Sequence, residues 1–224
     1  MKENDLLELG FHKSWMKDML PIMNNENTKK IIATLIDAKR KGHTITPAGT
    51  NIFRAFNSDL SKVKVAILGQ DPYPNKSHAI GKAFLTPTNC ESVPYSLNQI
   101  IKCLKEEYPE FPNIEVKDIN YLWNHSPDLF LFNTSLTLLD NKPESHLELW
   151  KTFSESVIDI LSRNKEIVWM IWGKKALSFV KDKDIAHIYY TNHPAAIRYG
   201  YSFEPKFREV ARQIKDEYYW VLPF

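Results

Sequence analysis

An amide, a carboxylate, an aromatic ring and two prolines stand together at Gln70-Asp71-Pro72-Tyr73-Pro74. Pro72 restricts Asp71 to extended backbone, so the carboxylate is held in place and does not sample a helix. A fixed carboxylate of this kind serves as a general base or stabilises a developing cation. Asp-Pro is also ordinary turn chemistry, and on this short segment alone the two readings divide evenly. Asn133, a bidentate amide, and His193, a tunable imidazole, share the same setting, each directly after an apolar run. Taken singly, Asn133 reads as a cap for the following segment and His193 as a structural hydrogen-bonder. Three such residues in one setting point to a common site.

The apolar runs are the elements that must position them. Residues 63–68 read as a buried strand, 129–132 and 167–172 as further apolar strands, and 187–192 as a fourth candidate. Helical periodicity covers residue 15 to about 40, with Ile31, Ile32, Leu35 and Ile36 on one face, and recurs over 96–104 and 148–161. A short helix is expected at 52–56, and 87–94 is a loop of Thr, Pro and Ser. Strands alternating with helices predict an α/β fold: a central four-stranded parallel sheet flanked by helices on both faces. In such a sheet ligands sit beyond the carboxyl ends of the strands, where Asp71, Asn133 and His193 fall. Without a repeat or linker, the expectation is one domain over 1–224.

Composition narrows the function class. A net charge of +2 does not announce a nucleic-acid binder, although local basic clusters still steer ligands. Lys29-Lys30 and Lys39-Arg40-Lys41 read as solvated helix faces, and Lys174-Lys175 as a better candidate for contact. Cys90 and Cys103 are too few for a disulfide scaffold and lack a zinc-type spacing, so no metal site is expected. The acidic start, Met1-Lys2-Glu3-Asn4-Asp5, has no apolar signal segment, and no run approaches membrane length. The expectation is a reduced, cytoplasmic protein with no membrane partner.

The run Gly-Gln-Asp-Pro-Tyr at 69–73, with Gly81-Lys82-Ala83-Phe84 after it, resembles the water-activating loop of family 1 uracil-DNA glycosylases. Residues 131–137, Leu-Phe-Asn-Thr-Ser-Leu-Thr, are similar to that family's uracil-binding strand, and His193-Pro194-Ala195-Ala196-Ile197 to its His-Pro-Ser-Pro-Leu loop. The likeness runs from Trp15 to Val221-Leu222-Pro223. It implies the family's three-layer fold and base-excision chemistry: a uracil is flipped out of single- or double-stranded DNA and its N-glycosidic bond is hydrolysed. By the same resemblance Asp71 activates water, and His193 donates to the oxygen where uracil's charge collects. Gln70, Tyr73, Phe84 and Asn133 bind the base: Phe84 by stacking, Asn133 by reading the uracil edge, and Tyr73 by excluding the thymine methyl. Ser96, Lys174, Ile197 and Arg198 meet DNA, with Ile197 as the wedge that fills the emptied stack. No cofactor is implied. The partners implied are uracil-containing DNA and protein inhibitors that mimic DNA, with the enzyme a monomer working at the bacterial nucleoid or, if viral, inside the host cell.

The sequence departs from the family in places. Pro74 stands where many members have His, which leaves water positioning to its carbonyl and His78 at the periphery. Ala195 and Lys174 replace serines that contact phosphate; Lys174 substitutes a point charge, Ala195 nothing. Pro74 and the Ala195-Ala196 pair resemble poxvirus members that serve as polymerase processivity components. A DNA-binding scaffold with secondary catalysis therefore stands beside the repair enzyme, and a glycosylase of broader base range is a third reading. The full set Asp71, Tyr73, Phe84, Asn133 and His193 favours the first.

Overall fold

The computed structural model describes residues 1–222, so Pro223, the last of the expected family positions, lies outside the described residues. Eight helices and six strands are formed in this part of the chain. Helices α1 (Glu3–Glu8), α2 (Met16–Asn24) and α3 (Glu26–Arg40) come first, then strand β1 (Ile45–Thr46) and a 3-10 segment, Gly49–Asn57. Strand β2 (Val65–Gly69) is followed by α4 (Tyr95–Glu107), α5 (Val116–His125), β3 (Leu129–Asn133), β4 (Leu138–Leu139) and α6 (Leu147–Ser162). The chain closes with β5 (Val168–Trp172), α7 (Lys174–Ser178), β6 (His187–Thr191), a 3-10 turn over Pro194–Tyr199, and α8 (Phe207–Gln213).

The four expected strands form one parallel sheet in the order β3-β2-β5-β6. Side chains alternate across it. Ala66, Leu68, Phe130, Phe132, Trp169 and Ile171 face a core built with α1, α2, α3 and α6. Val65, Ile67, Leu129, Leu131, Val168 and Met170 face a second core built with α4, α5 and α8. Cover on both faces explains why β2, β3 and β5 are buried along their whole length, whereas β6 at the edge alternates and leaves Ile188 and Tyr190 exposed. The chain passes from β2 to β3 on one side and then crosses back to β5, which makes a switch point beside β2.

The long helix expected from residue 15 to 40 is two helices. Asn25 is extended, φ −73° and ψ 161°, and its side chain accepts from the Thr28 N–H at 2.7 Å, so it caps α3 and breaks the run. On α3 only Ile31 of the expected apolar face is fully buried; Ile36 lies exposed. The short helix expected at 52–56 is the 3-10 segment, and 96–104 lies within α4 with Leu97, Ile100, Ile101 and Leu104 inward. Strands β1 and β4, each of two residues and too short to leave a sequence pattern, form a small antiparallel pair. It ties the segment before the 3-10 helix to the loop that carries Glu144. No helix among the described residues is long and apolar enough to cross a membrane.

Candidate active site

Past their last paired residues, Gly69 and Asn133, β2 and β3 stay joined. The Thr134 N–H donates to the Gly69 carbonyl at 3.0 Å and the Ser135 N–H to the Gln70 carbonyl at 2.8 Å. This stiffens the two strand ends that carry Asp71 and Asn133. Gly69 is needed there: a Cβ would stand 2.5 Å from the Asn133 Oδ1 and 3.1 Å from the Phe84 ring. The missing side chain is the space in which the Asn133 amide sits. Gly173, at φ 115°, opens the end of β5 in the same way, since its Cβ would lie 3.3 Å from that of His193.

A cavity of about 470 Å³ opens at these strand ends. Gln70, Asp71, Tyr73, Phe84, Ser96, Asn133, His193 and Arg198 line it, joined by Pro74, Lys82, Tyr95 and Ala195. Two of the expected residues lie outside this wall. Lys174 is exposed at the start of α7, and Ile197 is half-buried against the second core, so its side chain already has apolar neighbours. His78 is peripheral, as expected: its ring meets Tyr73 edge-on at 6.2 Å and bonds the Ser92 hydroxyl at 2.9 Å.

The two Asp71 oxygens differ. Oδ2 accepts from Gln70 Nε2 at 2.7 Å and from the Glu144 N–H at 3.0 Å. Oδ1 is buried with no hydrogen-bond partner, the neighbouring Ser135 hydroxyl donating to the Thr137 carbonyl instead. Burial pushes the Asp71 carboxyl above its ordinary value, with the Glu144 charge adding to the rise, while the bonds from Gln70 and Glu144 oppose it. A carboxylate with one oxygen anchored and the other unpartnered, on a residue that lines the cavity, is set up to accept a proton or a hydrogen bond from a reactant.

His193 is a neutral donor. Its Nδ1 accepts from the Ala195 N–H at 3.1 Å, which leaves the ring proton on Nε2. Burial lowers its pKa to about 4, so the imidazole is uncharged near neutral pH. Its ring stands 5.7 Å from that of Phe84, which also leans on Trp172 at 4.8 Å. Phe84 adopts φ 63°, a left-handed conformation costly for a bulky residue. Its carbonyl is held by the Tyr73 hydroxyl at 3.0 Å, so one bond fixes both aromatic walls. Burial raises the Tyr73 phenol, which keeps it a neutral donor. Also in the wall, the Arg198 guanidinium lies 3.9 Å from the ring centre of Tyr95, the residue before the buried Ser96 on α4.

Glu144, Lys175, Tyr95 and Lys82 were not singled out from the sequence as site residues. Burial lowers Lys82 to about 8, and its Nζ donates to the Asn124 carbonyl at 2.9 Å. Lys175 left a signal as half of a basic pair, and Lys82 as part of the Gly81-Lys82-Ala83-Phe84 run.

Fold and site together define a class: a doubly covered parallel α/β sheet with a cavity at its carboxyl edge, walled by aromatic rings and equipped with a carboxylate, an amide and a neutral imidazole. A family model described as the uracil DNA glycosylase superfamily matches residues 57–215. The uracil-DNA glycosylase of Francisella tularensis subsp. novicida is 40% identical over 152 residues, 66% of this chain and 67% of that protein. The solved mimivirus uracil-DNA glycosylase has TM-score 0.75 and 26% identity, covering 84% of this chain and 71% of that one. A variant of the mimivirus protein in complex with UGI gives 0.76 at 26% identity over 86% and 73%. The chain belongs to the uracil DNA glycosylase superfamily.

Proposed function

We propose that the chain is a family 1 member of this superfamily that hydrolyses the N-glycosidic bond of uracil in DNA, releasing free uracil and leaving an abasic site for base-excision repair. In this reading Asn133 pairs with the N3–H and O4 edge of a flipped uracil, Phe84 stacks on the ring, and Tyr73 stands against C5. The C1′–N1 bond breaks with its electron pair leaving on uracil, and the sugar becomes cationic. His193 Nε2–H donates to the uracil O2 as charge collects there. Asp71 faces the cation, and its Oδ1 takes the proton of the water that bonds to C1′. A neutral donor is enough for His193 because the Ala195 N–H already orients it.

The observation that carries this reading is the convergence of Asp71, Asn133 and His193, from three strand ends, on one cavity. A DNA-binding scaffold with secondary catalysis would have no use for a buried, unpartnered carboxylate oxygen. Uracil-containing single- and double-stranded DNA is the proposed substrate, acted on by a single-domain monomer in the cytoplasm. The mimivirus complex supports a protein inhibitor as a further partner. Strand scission at a single deoxyuridine after alkali tests the activity. Asp71→Asn should still bind that DNA while losing most turnover; cleavage at the wild-type rate would remove Asp71 from the chemistry.

A further inference from the structure

The loop that follows β4 turns sharply, with Asp140, Asn141 and Glu144 all at positive φ, and brings Glu144 beside a residue 73 positions earlier. Three contacts meet there. The Glu144 N–H donates to Asp71 Oδ2 at 3.0 Å, its Oε1 accepts from Gln70 Nε2 at 3.3 Å, and its Oε2 pairs with Lys175 Nζ on α7. Gln70 Nε2 is the same nitrogen that donates to Asp71 Oδ2. An amide NH2 turned the other way would present its oxygen to the carboxylate and repel it. A glutamate on the far side of Gln70 settles the orientation, because it accepts only from the nitrogen.

We propose that Glu144, anchored by Lys175, is a positioning residue for the catalytic carboxylate: it holds the Gln70 amide nitrogen toward Asp71 Oδ2 and so leaves Oδ1 as the oxygen that meets water. This rests on the reading of Asp71 as the group that faces the reacting sugar. The arrangement also places a second carboxylate close to the first, and Lys175 offsets its charge. The other titratable groups around Asp71 are Tyr73 and Lys82 from the loop after β2, His193 beyond β6, Tyr95 on α4 and Arg198 on the 3-10 turn. None of them makes a hydrogen bond to Asp71.

The test uses single-turnover cleavage of a single-stranded deoxyuridine oligonucleotide across pH, with Asp71→Asn alongside. Glu144→Ala should lower the saturating single-turnover rate about tenfold with little change in the half-saturating enzyme concentration, the scale of one hydrogen bond to a charged oxygen. Glu144→Gln keeps an acceptor for Gln70 and should recover most of that loss. Removing the Glu144 charge should let Asp71 ionise more readily, so the acid limb of Glu144→Gln moves to lower pH. Lys175→Met leaves Glu144 uncompensated and should move the limb to higher pH. A merely structural loop would not shift the limb in opposite directions. If both limbs stay at the wild-type position while Asp71→Asn is inactive, the positioning role is refuted and the role of Asp71 stands. If Asp71→Asn cleaves normally, the reading of Asp71 fails first.

Discussion

Gly69→Ala isolates the placement of one side chain. The added methyl carbon would arrive 2.5 Å from the Asn133 Oδ1, 3.1 Å from the Phe84 ring and 3.2 Å from the Ala83 Cβ. Ordinary contact begins near 3.4 Å, so the amide must retreat by about 0.9 Å. Retreat is hard, because β2 and β3 are bonded past this point by the Thr134 and Ser135 amides. Overpacking a tight site costs about 1–3 kcal/mol. In a domain of this size each kcal/mol lowers Tm by roughly 2–4 °C, so the variant should stay folded but melt measurably earlier. The catalytic cost should be larger, since a misplacement of about 1 Å reduces rates on the order of a hundredfold. The three atoms nearest the new methyl belong to Asn133, Phe84 and Ala83, so the loss should fall on base recognition. Single-turnover cleavage of a deoxyuridine oligonucleotide, with a melting curve on the same sample, measures both effects. A wild-type rate with an unchanged Tm would mean that Asn133 does not occupy the space over Gly69, and the assignment of the uracil edge to its amide would fall with it.

Tyr73→Ala should admit the C5 methyl and release some thymine from DNA, whereas Tyr73→Phe, which keeps the ring and removes only the bond to the Phe84 carbonyl, should not; thymine release by the wild-type protein would overturn the wall assignment. The rate should fall as pH drops through the raised pKa of Asp71, because the carboxylate must be ionised, and His193, neutral above about 4, should add no second limb near neutrality; a limb near the ordinary imidazole value of about 6.5 that disappears in His193→Ala would contradict this. Arg198→Ser should flatten the salt dependence of DNA affinity by about 0.9 log units per log salt for each phosphate it had neutralised, and Lys174→Ser by the same step if it reaches the backbone from α7; unchanged slopes in titrations at several salt concentrations would remove both from the DNA interface.

The sequence by itself determined the elements and the residues at their ends. Runs of aliphatic and aromatic residues stopped by Gly69, Asn133 and Pro194 are local signals, readable over a few residues, and they carry Asp71, Asn133 and His193 without any knowledge of the fold. Local reading failed at Asn25, where a cap weighs more than continuous helical periodicity, and at Ile36, which has a helical partner pattern but no element packed over it. The order β3-β2-β5-β6 is a tertiary fact, and it sets Asn133 beside Gly69 across one strand spacing. The unpartnered Asp71 oxygen, the proton on His193 Nε2, the half-buried Ile197 and the Glu144–Lys175 pair depend on how segments pack and turn in three dimensions. Propensity and pattern act within a turn of helix or a few strand residues. The protonation, orientation and burial of a side chain are set by whichever neighbours packing brings to it, and those neighbours are decided only when both faces of the sheet close.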